Sequence, residues 1–175
     1  MKINKNPFTV TIGIVLLFQF QSVHSQSIQD LDFLIGTWDV SEVICPGSDK
    51  KYIEGGTRTC EYDVDGTYIK CVTNAKSKYG ERSLFMFFNY DKKFNKYIVT
   101  TLFSNLSFQG KYEWYLDSAQ QTIQSISPLE PNEDEFYRGE ISISENQLIW
   151  KGYRTSFRKD RSWELRYIET SNRIK

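Results

Sequence analysis

Residues 60–71 read CEYDVDGTYIKC, and this stretch predicts a tight β-hairpin. Apolar and polar side chains alternate on both sides of Asp65-Gly66, which is the pattern of two strands that each expose one face. An Asp-Gly pair is typical of two-residue hairpin turns, because both residues tolerate the positive φ that such a turn requires. The stretch therefore predicts two antiparallel strands joined at this dipeptide.

The register of the hairpin follows from the side chains that would face each other. A two-residue turn aligns Glu61 with Lys70 and Cys60 with Cys71, so that opposite charges meet and the other face stays apolar. A three-residue loop with a glycine bulge would instead set Glu61 against Ile69 and Cys60 against Lys70. The charge pairing and the apolar face favour the two-residue turn.

The three cysteines of the chain admit several pairings. In an oxidising compartment the favoured register predicts a Cys60–Cys71 disulfide, which contributes about 3 kcal/mol in the chain-entropy description. A two-residue turn makes this pair hydrogen-bonded, and such pairs are wider than the alternate ones, which opposes the bridge. Cys45, which precedes Pro46-Gly47, could pair with either of the other cysteines instead. Three reduced thiols are the remaining alternative.

The same rhythm of short alternating segments and turn residues extends along the chain from Trp38 onward. It predicts ten strands, near residues 37–44, 55–63, 67–75, 81–90, 95–104, 108–116, 120–127, 136–143, 146–156 and 161–170. Only residues 28–34 (IQDLDFL) predict one or two helical turns. Closure of such an antiparallel meander removes its exposed edges. The predicted fold class is therefore all-β: a single meander β-barrel of about ten strands with a short N-terminal helical turn.

The first 25 residues have the layout of a secretory signal peptide. Lys2 and Lys5 precede an apolar run from Phe8 to Phe20, and residues that a signal peptidase tolerates follow it. The run is shorter than the roughly 20 residues that a spanning helix needs, so a cleaved signal is favoured over a membrane anchor. We therefore predict a secreted or periplasmic protein, with no stable membrane span in its mature form, whose domain covers residues 26–175.

Composition excludes several classes of function. The chain carries 22 Lys plus Arg against 22 Asp plus Glu without a basic cluster, so no nucleic-acid partner is expected. Its single histidine, His24, falls within the predicted signal peptide. A mature protein without histidine cannot use a Ser-His-Asp or Cys-His arrangement or form His-ligated metal and haem sites. No pair of carboxylates has a diagnostic spacing, so we predict no catalytic residue, metal site or cofactor.

Residues 32–40 (DFLIGTWDV) place Gly36-Thr37-Trp38 at the start of the first strand. This segment resembles the Gly-x-Trp opening of the calycin superfamily, which includes lipocalins and fatty-acid-binding proteins. With Asn89-Tyr90-Asp91 at the end of a strand, the whole layout resembles the bacterial lipocalin-like domain of unknown function DUF1579. The resemblance implies that Gly36 and Trp38 close one end of the barrel and that an arginine of the last strand, Arg161 or Arg166, stacks over the indole.

The resemblance and the aromatic strands imply an exported barrel that binds one small apolar or amphipathic molecule. The side chains expected to line its interior are Tyr97, Tyr112, Trp114, Trp150 and Arg154. The alternative is that the same rings fill a solid core. An interior cavity would separate these two possibilities.

Two other functions stay open from the sequence. A calycin-like enzyme would use a carboxylate or a tyrosine for acid–base chemistry, and a raised carboxyl pKa inside a cavity would support it. A surface interaction module would use residues 84–88 (LFMFF), a strand that is apolar on both faces. We expect the outer face of this strand either to be covered by the N-terminal segment or to make the protein a weak dimer rather than a monomer.

Overall fold

The computed structural model describes residues 26–105, 109–127, 135–156 and 162–174. Ten antiparallel strands form one closed barrel, in which each strand pairs with its neighbours in sequence and β1 also pairs with β10. The strands are β1 (Gly36–Ile44), β2 (Tyr52–Asp63), β3 (Tyr68–Ser77), β4 (Gly80–Asp91), β5 (Lys96–Phe103), β6 (Gln109–Asp117), β7 (Thr122–Ile126), β8 (Glu135–Ile143), β9 (Gln147–Ser156) and β10 (Glu164–Arg173). The predicted all-β meander barrel is confirmed.

The predicted signal peptide, residues 1–25, lies outside the described residues. Within the described ranges, the structure contains no helix with the length and apolar character that a membrane crossing requires.

The hairpin between β2 and β3 has the register that the sequence favours. Cys60 pairs with Cys71, and a disulfide joins them. Asp65 and Gly66 adopt φ values of 54° and 76°, the left-handed conformation that the turn requires. The two cysteine Cα atoms are 4.1 Å apart, which is the spacing of the closer pairs of an antiparallel ladder rather than the wider spacing expected. Cys45 is free.

A 3₁₀ helix (Ile28–Leu34) covers one end of the barrel. It spans the residues for which the sequence predicts helical turns, so that prediction is confirmed. Three of its side chains are buried in the hydrophobic core: Ile28, Leu31 and Leu34. Tyr97, at the start of β5, is fully buried, and its hydroxyl donates to the Ser27 carbonyl at 3.0 Å. The helix therefore seals this end, which we name the closed end.

Trp38 lies beneath the guanidinium group of Arg173 at the closed end. The indole Nε1 donates to the Leu34 carbonyl at 2.8 Å, and the ring is 1% exposed. Arg173 Cζ lies 4.3 Å from the centroid of the indole. Its two terminal nitrogens donate to the carbonyls of Phe33 and Ile35, each at 2.6 Å. One side chain at the end of β10 thus covers the tryptophan and satisfies two carbonyls at the C-terminal end of the helix.

Arg173 is not one of the two arginines expected at this position. Arg166 lies toward the other end of β10 and pairs with Glu164, so it does not stack over Trp38 as predicted. Arg161, the other candidate, lies outside the described residues. The last strand ends at residue 173 instead of 170, which brings Arg173 to the closed end. Gly36 has a φ of 123°, and a Cβ there would lie 2.9 Å from Arg173 Nη1. The glycine leaves the space that the guanidinium occupies.

The outer face of β4 carries the second apolar side of the LFMFF segment. Phe85 and Phe87 lie on this face and are half-buried. Phe85 pairs with Val72 of β3 and Leu102 of β5, so the apolar surface continues across neighbouring strands. The described part of the N-terminal segment packs in the core with Phe88, on the inner side of the same strand. The described residues of the N-terminal segment therefore do not cover the outer face of β4, where the sequence predicts them.

The cysteine arrangement predicts a specific peptide map. Digestion without reduction should link Cys60 to Cys71, while Cys45 should react with an alkylating reagent. Replacing both bridged cysteines with alanine should lower the free energy of unfolding by about 2–4 kcal/mol, measured by chemical denaturation. Cys45→Ser is the control and should change stability little. A bridge that includes Cys45, or equal stability of all forms, would contradict this assignment.

Arg173→Met should lower the free energy of unfolding by about 2–4 kcal/mol, because it removes two charge-assisted hydrogen bonds and the contact with the indole. Methionine keeps an apolar stem of similar length, so the loss reports mainly on the guanidinium group. The matched control is Arg166→Met, which breaks a partly exposed ion pair and should cost about 0.5 kcal/mol or less. Equal losses in the two variants would show that Arg173 has no special role in closing the barrel.

Candidate functional site

The barrel is filled in its closed half and hollow in its open half. Near the closed end, Phe88 and Trp114 pack edge to face with ring centroids 5.0 Å apart. Among the described residues of this layer, a pocket of only about 10 Å³ lies between the side chains. Toward the opposite end, a cavity of about 390 Å³ opens among side chains of β1, β2, β4, β5, β6, β9 and β10. The solid core and the interior cavity, which the sequence offers as alternatives, are therefore both present, each in one half of the barrel.

The cavity wall includes six aromatic and aliphatic side chains on β4, β5, β6, β9 and β10: Leu84, Met86, Phe103, Tyr112, Trp150 and Tyr167. A second lobe of about 260 Å³ shares the four aromatic members of this set. It lies beside β8 and β9 and includes Tyr137 and Arg154. The shared rings form an aromatic partition between the two lobes.

Paired glycines create room for two rings of this partition. Gly139 and Gly152 face each other across β8 and β9. A Cβ at Gly152 would lie 2.1 Å from the Tyr167 ring, and one at Gly139 would lie 2.5 Å from Trp150 Nε1. Any larger residue would push these rings away from the wall and into the interior. The glycines therefore help to keep the cavity open.

Of the five predicted ligand contacts, two line the cavity, two lie in the filled half and one lies in the second lobe. Tyr112 and Trp150 are part of its wall. Tyr97 and Trp114 point inward as expected, but they pair with each other near the closed end, where the interior is filled. Arg154 lies in the second lobe, with Nη1 3.1 Å from Glu135 Oε1. The alternation along a strand identifies its inner face, but it does not give the depth of a residue along the barrel axis.

Five charged side chains meet where the filled core ends and the cavity begins. We name them the ionic cluster: Glu42, Glu54, Arg58, Arg82 and Glu169. Glu54, Arg58 and Glu169 are 6%, 3% and 5% exposed. Charged side chains are rarely so buried unless they are paired, and here every member of the cluster has an opposite charge in contact.

Arg58 and Glu169 form the deepest pair of the cluster. The guanidinium binds the carboxylate in two places, with Nη1–Oε1 and Nη2–Oε2 distances of 2.8 and 2.6 Å. Arg58 Nε also donates to Thr73 Oγ1 at 2.9 Å, and Ser171 Oγ donates to Glu169 Oε1 at 2.8 Å. Burial opposes the ionisation of Glu169, but the charge and hydrogen bonds of Arg58 hold its pKa below the ordinary value. Glu169 is therefore an anion at neutral pH.

Arg82 is shared between two glutamates. Its Nη2 lies 2.7 Å from Glu42 Oε2, and its Nε donates to Glu54. Burial and the neighbouring Glu169 carboxylate raise the pKa of Glu42 from 4.5 to about 7, although Arg82 opposes this shift. Glu42 therefore changes its charge near neutral pH. A carboxyl group of this kind can bind a cation when it is ionised, or give and accept a proton.

The predicted site residues do not include the ionic cluster, although the alternation of the strands contains a signal for it. Trp38, Val40 and Glu42 are spaced two residues apart in β1, so a buried Trp38 places Glu42 on the inner face. Arg58 has the same relation to Cys60 in β2. The usual preference of charged residues for solvent argued against an inward position.

Comparisons with known proteins support the fold. No family model matches the chain, DUF1579 included, and no curated protein matches it. The protein Rv2717c from M. tuberculosis has a similar structure, with a TM-score of 0.58 and 10% identity over 85% of this chain and 97% of that chain. The S-type phycobiliprotein lyase CPES from Guillardia theta has a TM-score of 0.53 and 10% identity over 86% of this chain and 94% of that chain. Both structures have a ten-stranded antiparallel barrel, so the similarity supports the fold of this chain.

The raised pKa of Glu42 predicts that it makes the barrel less stable as the pH rises. A group whose pKa is higher in the folded than in the unfolded chain stabilises the fold while it is protonated, and this advantage disappears as the pH passes the folded value. The contribution of Glu42 should therefore fall by on the order of 2 kcal/mol between about pH 5 and pH 8. The lowered pKa of Glu169 has the opposite sign, and it acts below its unfolded value, outside this interval.

Urea denaturation of the wild type and of Glu42→Gln across this pH interval measures the contribution. The difference in stability between the two proteins should shift in favour of the variant as the pH rises. Glu81→Gln, which changes an exposed carboxylate paired with Lys76, is the matched control and should follow the wild type. A difference between wild type and Glu42→Gln that does not vary with pH would contradict the pKa assigned to Glu42.

Proposed function

We propose that this protein binds one small amphipathic molecule in the cavity at the open end of its barrel. The observation that carries the proposal is a cavity of about 390 Å³ inside a barrel whose other half is filled. Ligand sites in proteins are commonly of this size, with apolar walls and a few polar groups that orient the ligand. An empty space and buried charges both lower stability, so a barrel that needed only to fold would gain by filling the space.

The two kinds of lining suit an amphipathic ligand. The aromatic partition and the aliphatic side chains Leu84 and Met86 offer contact to an apolar body. At the inner end, Glu42, Glu54 and Arg82 present charge to a polar group of the same ligand. Thr101 also lines the cavity, and its hydroxyl is buried without a hydrogen-bond partner among the described residues. A polar atom of a ligand would supply such a partner.

We also propose that the protein acts outside the cytoplasm. The layout of residues 1–25 supports export, and the Cys60–Cys71 disulfide is compatible with an oxidising compartment. The fold shared with a phycobiliprotein lyase supports a ligand-binding barrel in general. At 10% identity it does not extend the substrate of that lyase to this chain.

The pKa of Glu42 favours a second candidate function, acid–base catalysis on the bound molecule. A carboxyl group with a pKa of about 7 inside a cavity holds its proton over part of the physiological range and can exchange it. This candidate requires that a bound molecule be chemically changed by the wild type and not by Glu42→Gln. Mass spectrometry of the recovered ligand after incubation with each protein tests it, and an unchanged ligand in both would contradict it.

Leu84→Trp should weaken ligand binding by at least about tenfold, because the larger side chain occupies the cavity. Phe85→Trp is the matched control: it is the next residue of the same strand but lies on the outer face, so it should leave affinity unchanged. Native mass spectrometry of the purified protein detects molecules that remain bound. Calorimetric titration with fatty acids, retinoids, long-chain alcohols and long-chain amines then measures affinity.

Two experimental results would contradict the proposal. A purified wild type that carries no small molecule and gives no heat with any compound of the panel would contradict ligand binding. Equal losses in Leu84→Trp and Phe85→Trp would show that the binding observed is not in the cavity.

A further inference from the structure

The ionic cluster contains more negative than positive charge. Its carboxylates belong to Glu42, Glu54 and Glu169, and its guanidinium groups belong to Arg58 and Arg82. With every group ionised, the cluster therefore carries a net charge of 2 − 3 = −1. In a region of low dielectric constant, an uncompensated charge of this kind is unfavourable.

Both arginines of the cluster already pair with carboxylates. Arg58 uses both terminal nitrogens on Glu169 and its Nε on Thr73. Arg82 contacts a carboxylate on each side, Glu42 through Nη2 and Glu54 through Nε. An anionic group that approached Arg82 would meet two glutamates at the same point, and the resulting repulsion is strong in a buried site.

The remaining charges near the cavity do not alter this balance. The charged residues of its lining are the three glutamates and Arg82. The second lobe holds three arginines on the other side of the aromatic partition: Arg138, Arg154 and Arg166. Each of them has a glutamate of its own at 3.9 Å or less. The surplus negative charge is therefore confined to the inner end of the cavity.

We propose that the ligand carries a cationic head group, such as a protonated amine, which enters the ionic cluster and pairs with Glu42, while its apolar body lies against the aromatic partition. This inference rests on the proposed function and specifies its ligand class. A single positive charge makes the cluster neutral, with three cations and three anions. A fatty-acid carboxylate in the same position would increase the imbalance to 2 − 4 = −2.

Proton release follows from this arrangement. Below neutral pH, Glu42 is protonated and the cluster is already neutral, so a cation gains less by entering it. Other groups face Glu42 from neighbouring strands: Tyr52, Glu54 and Arg58 of β2, Arg82 of β4, and Tyr167 and Glu169 of β10. Burial raises the pKa of Tyr167 well above its ordinary value, so this phenol stays neutral in the same range. An amine should therefore bind more tightly as the pH rises from about 5 to 8, while the amine itself remains charged.

Three ligands with the same chain and different head groups test the inference: decylamine, decanol and decanoate. At about pH 8, wild type should bind decylamine at least about tenfold more tightly than decanoate, with decanol between them. Glu42→Gln keeps the shape of the side chain and removes its charge, so it should lose at least about tenfold in affinity for decylamine and little for decanol. Glu81→Gln, which alters an exposed ion pair, should behave as wild type.

Calorimetry in two buffers with different ionisation enthalpies adds an independent measurement. Decylamine should release a proton on binding to wild type near pH 6.5 and none on binding to Glu42→Gln. Circular dichroism establishes that the variant is folded, and the comparison of the three ligands on wild type does not depend on any variant.

The possible failures can be distinguished. Decanoate that binds as tightly as decylamine, or a head-group preference that is the same in wild type and Glu42→Gln, would overturn the cationic ligand and leave ligand binding intact. Failure of all three ligands to bind to wild type would contradict the proposed function as well.

Discussion

Closure of the sheet between β1 and β10 is the constraint on which the rest of the molecule depends. A closed sheet gives every strand one inner and one outer face, so the two-residue period of β1 places Trp38, Val40 and Glu42 in one inward row. This row runs along the barrel axis from the sealed end to the cavity. The same strand therefore supplies the tryptophan that closes the barrel and the carboxyl group that titrates in its hollow half. Pairing with β10 also brings Arg173 over Trp38 and Glu169 beside Glu42.

The interior combines two environments with opposite effects on stability. In the closed half, rings and aliphatic side chains pack with almost no free space, and the disulfide and the 3₁₀ helix add covalent and hydrogen-bonded links. In the open half, a cavity and a net charge both reduce stability. The Arg58–Glu169 pair marks the boundary, because its bidentate contact satisfies both charges without solvent. The filled half thus provides the stability that the hollow half requires.

Much of the fold could be predicted from the sequence because its determinants are local. Alternation located the strands, and the Asp65-Gly66 turn set the register that brings Cys60 and Cys71 together. Features that depend on the stagger of distant strands could not be predicted in this way. Arg173 and the Arg58–Glu169 pair, whose members are 111 residues apart, meet only after the barrel has closed. The alternation also assigned Tyr97 and Trp114 to the correct face, but their height on the axis follows from the tilt of the strands.

The separation of a sealed end from an open end has a consequence for how this chain can change over generations. The contacts that close the barrel, among them Arg173 on Trp38 and Tyr97 on the 3₁₀ helix, lie away from the cavity. Substitutions in the cavity wall can therefore reshape the cavity without weakening these contacts. The paired glycines are a simple example, because a larger residue at Gly139 or Gly152 would displace a neighbouring ring and reduce the volume in one step. Selection on the shape of the cavity can then act on one end of the molecule while selection for folding acts on the other.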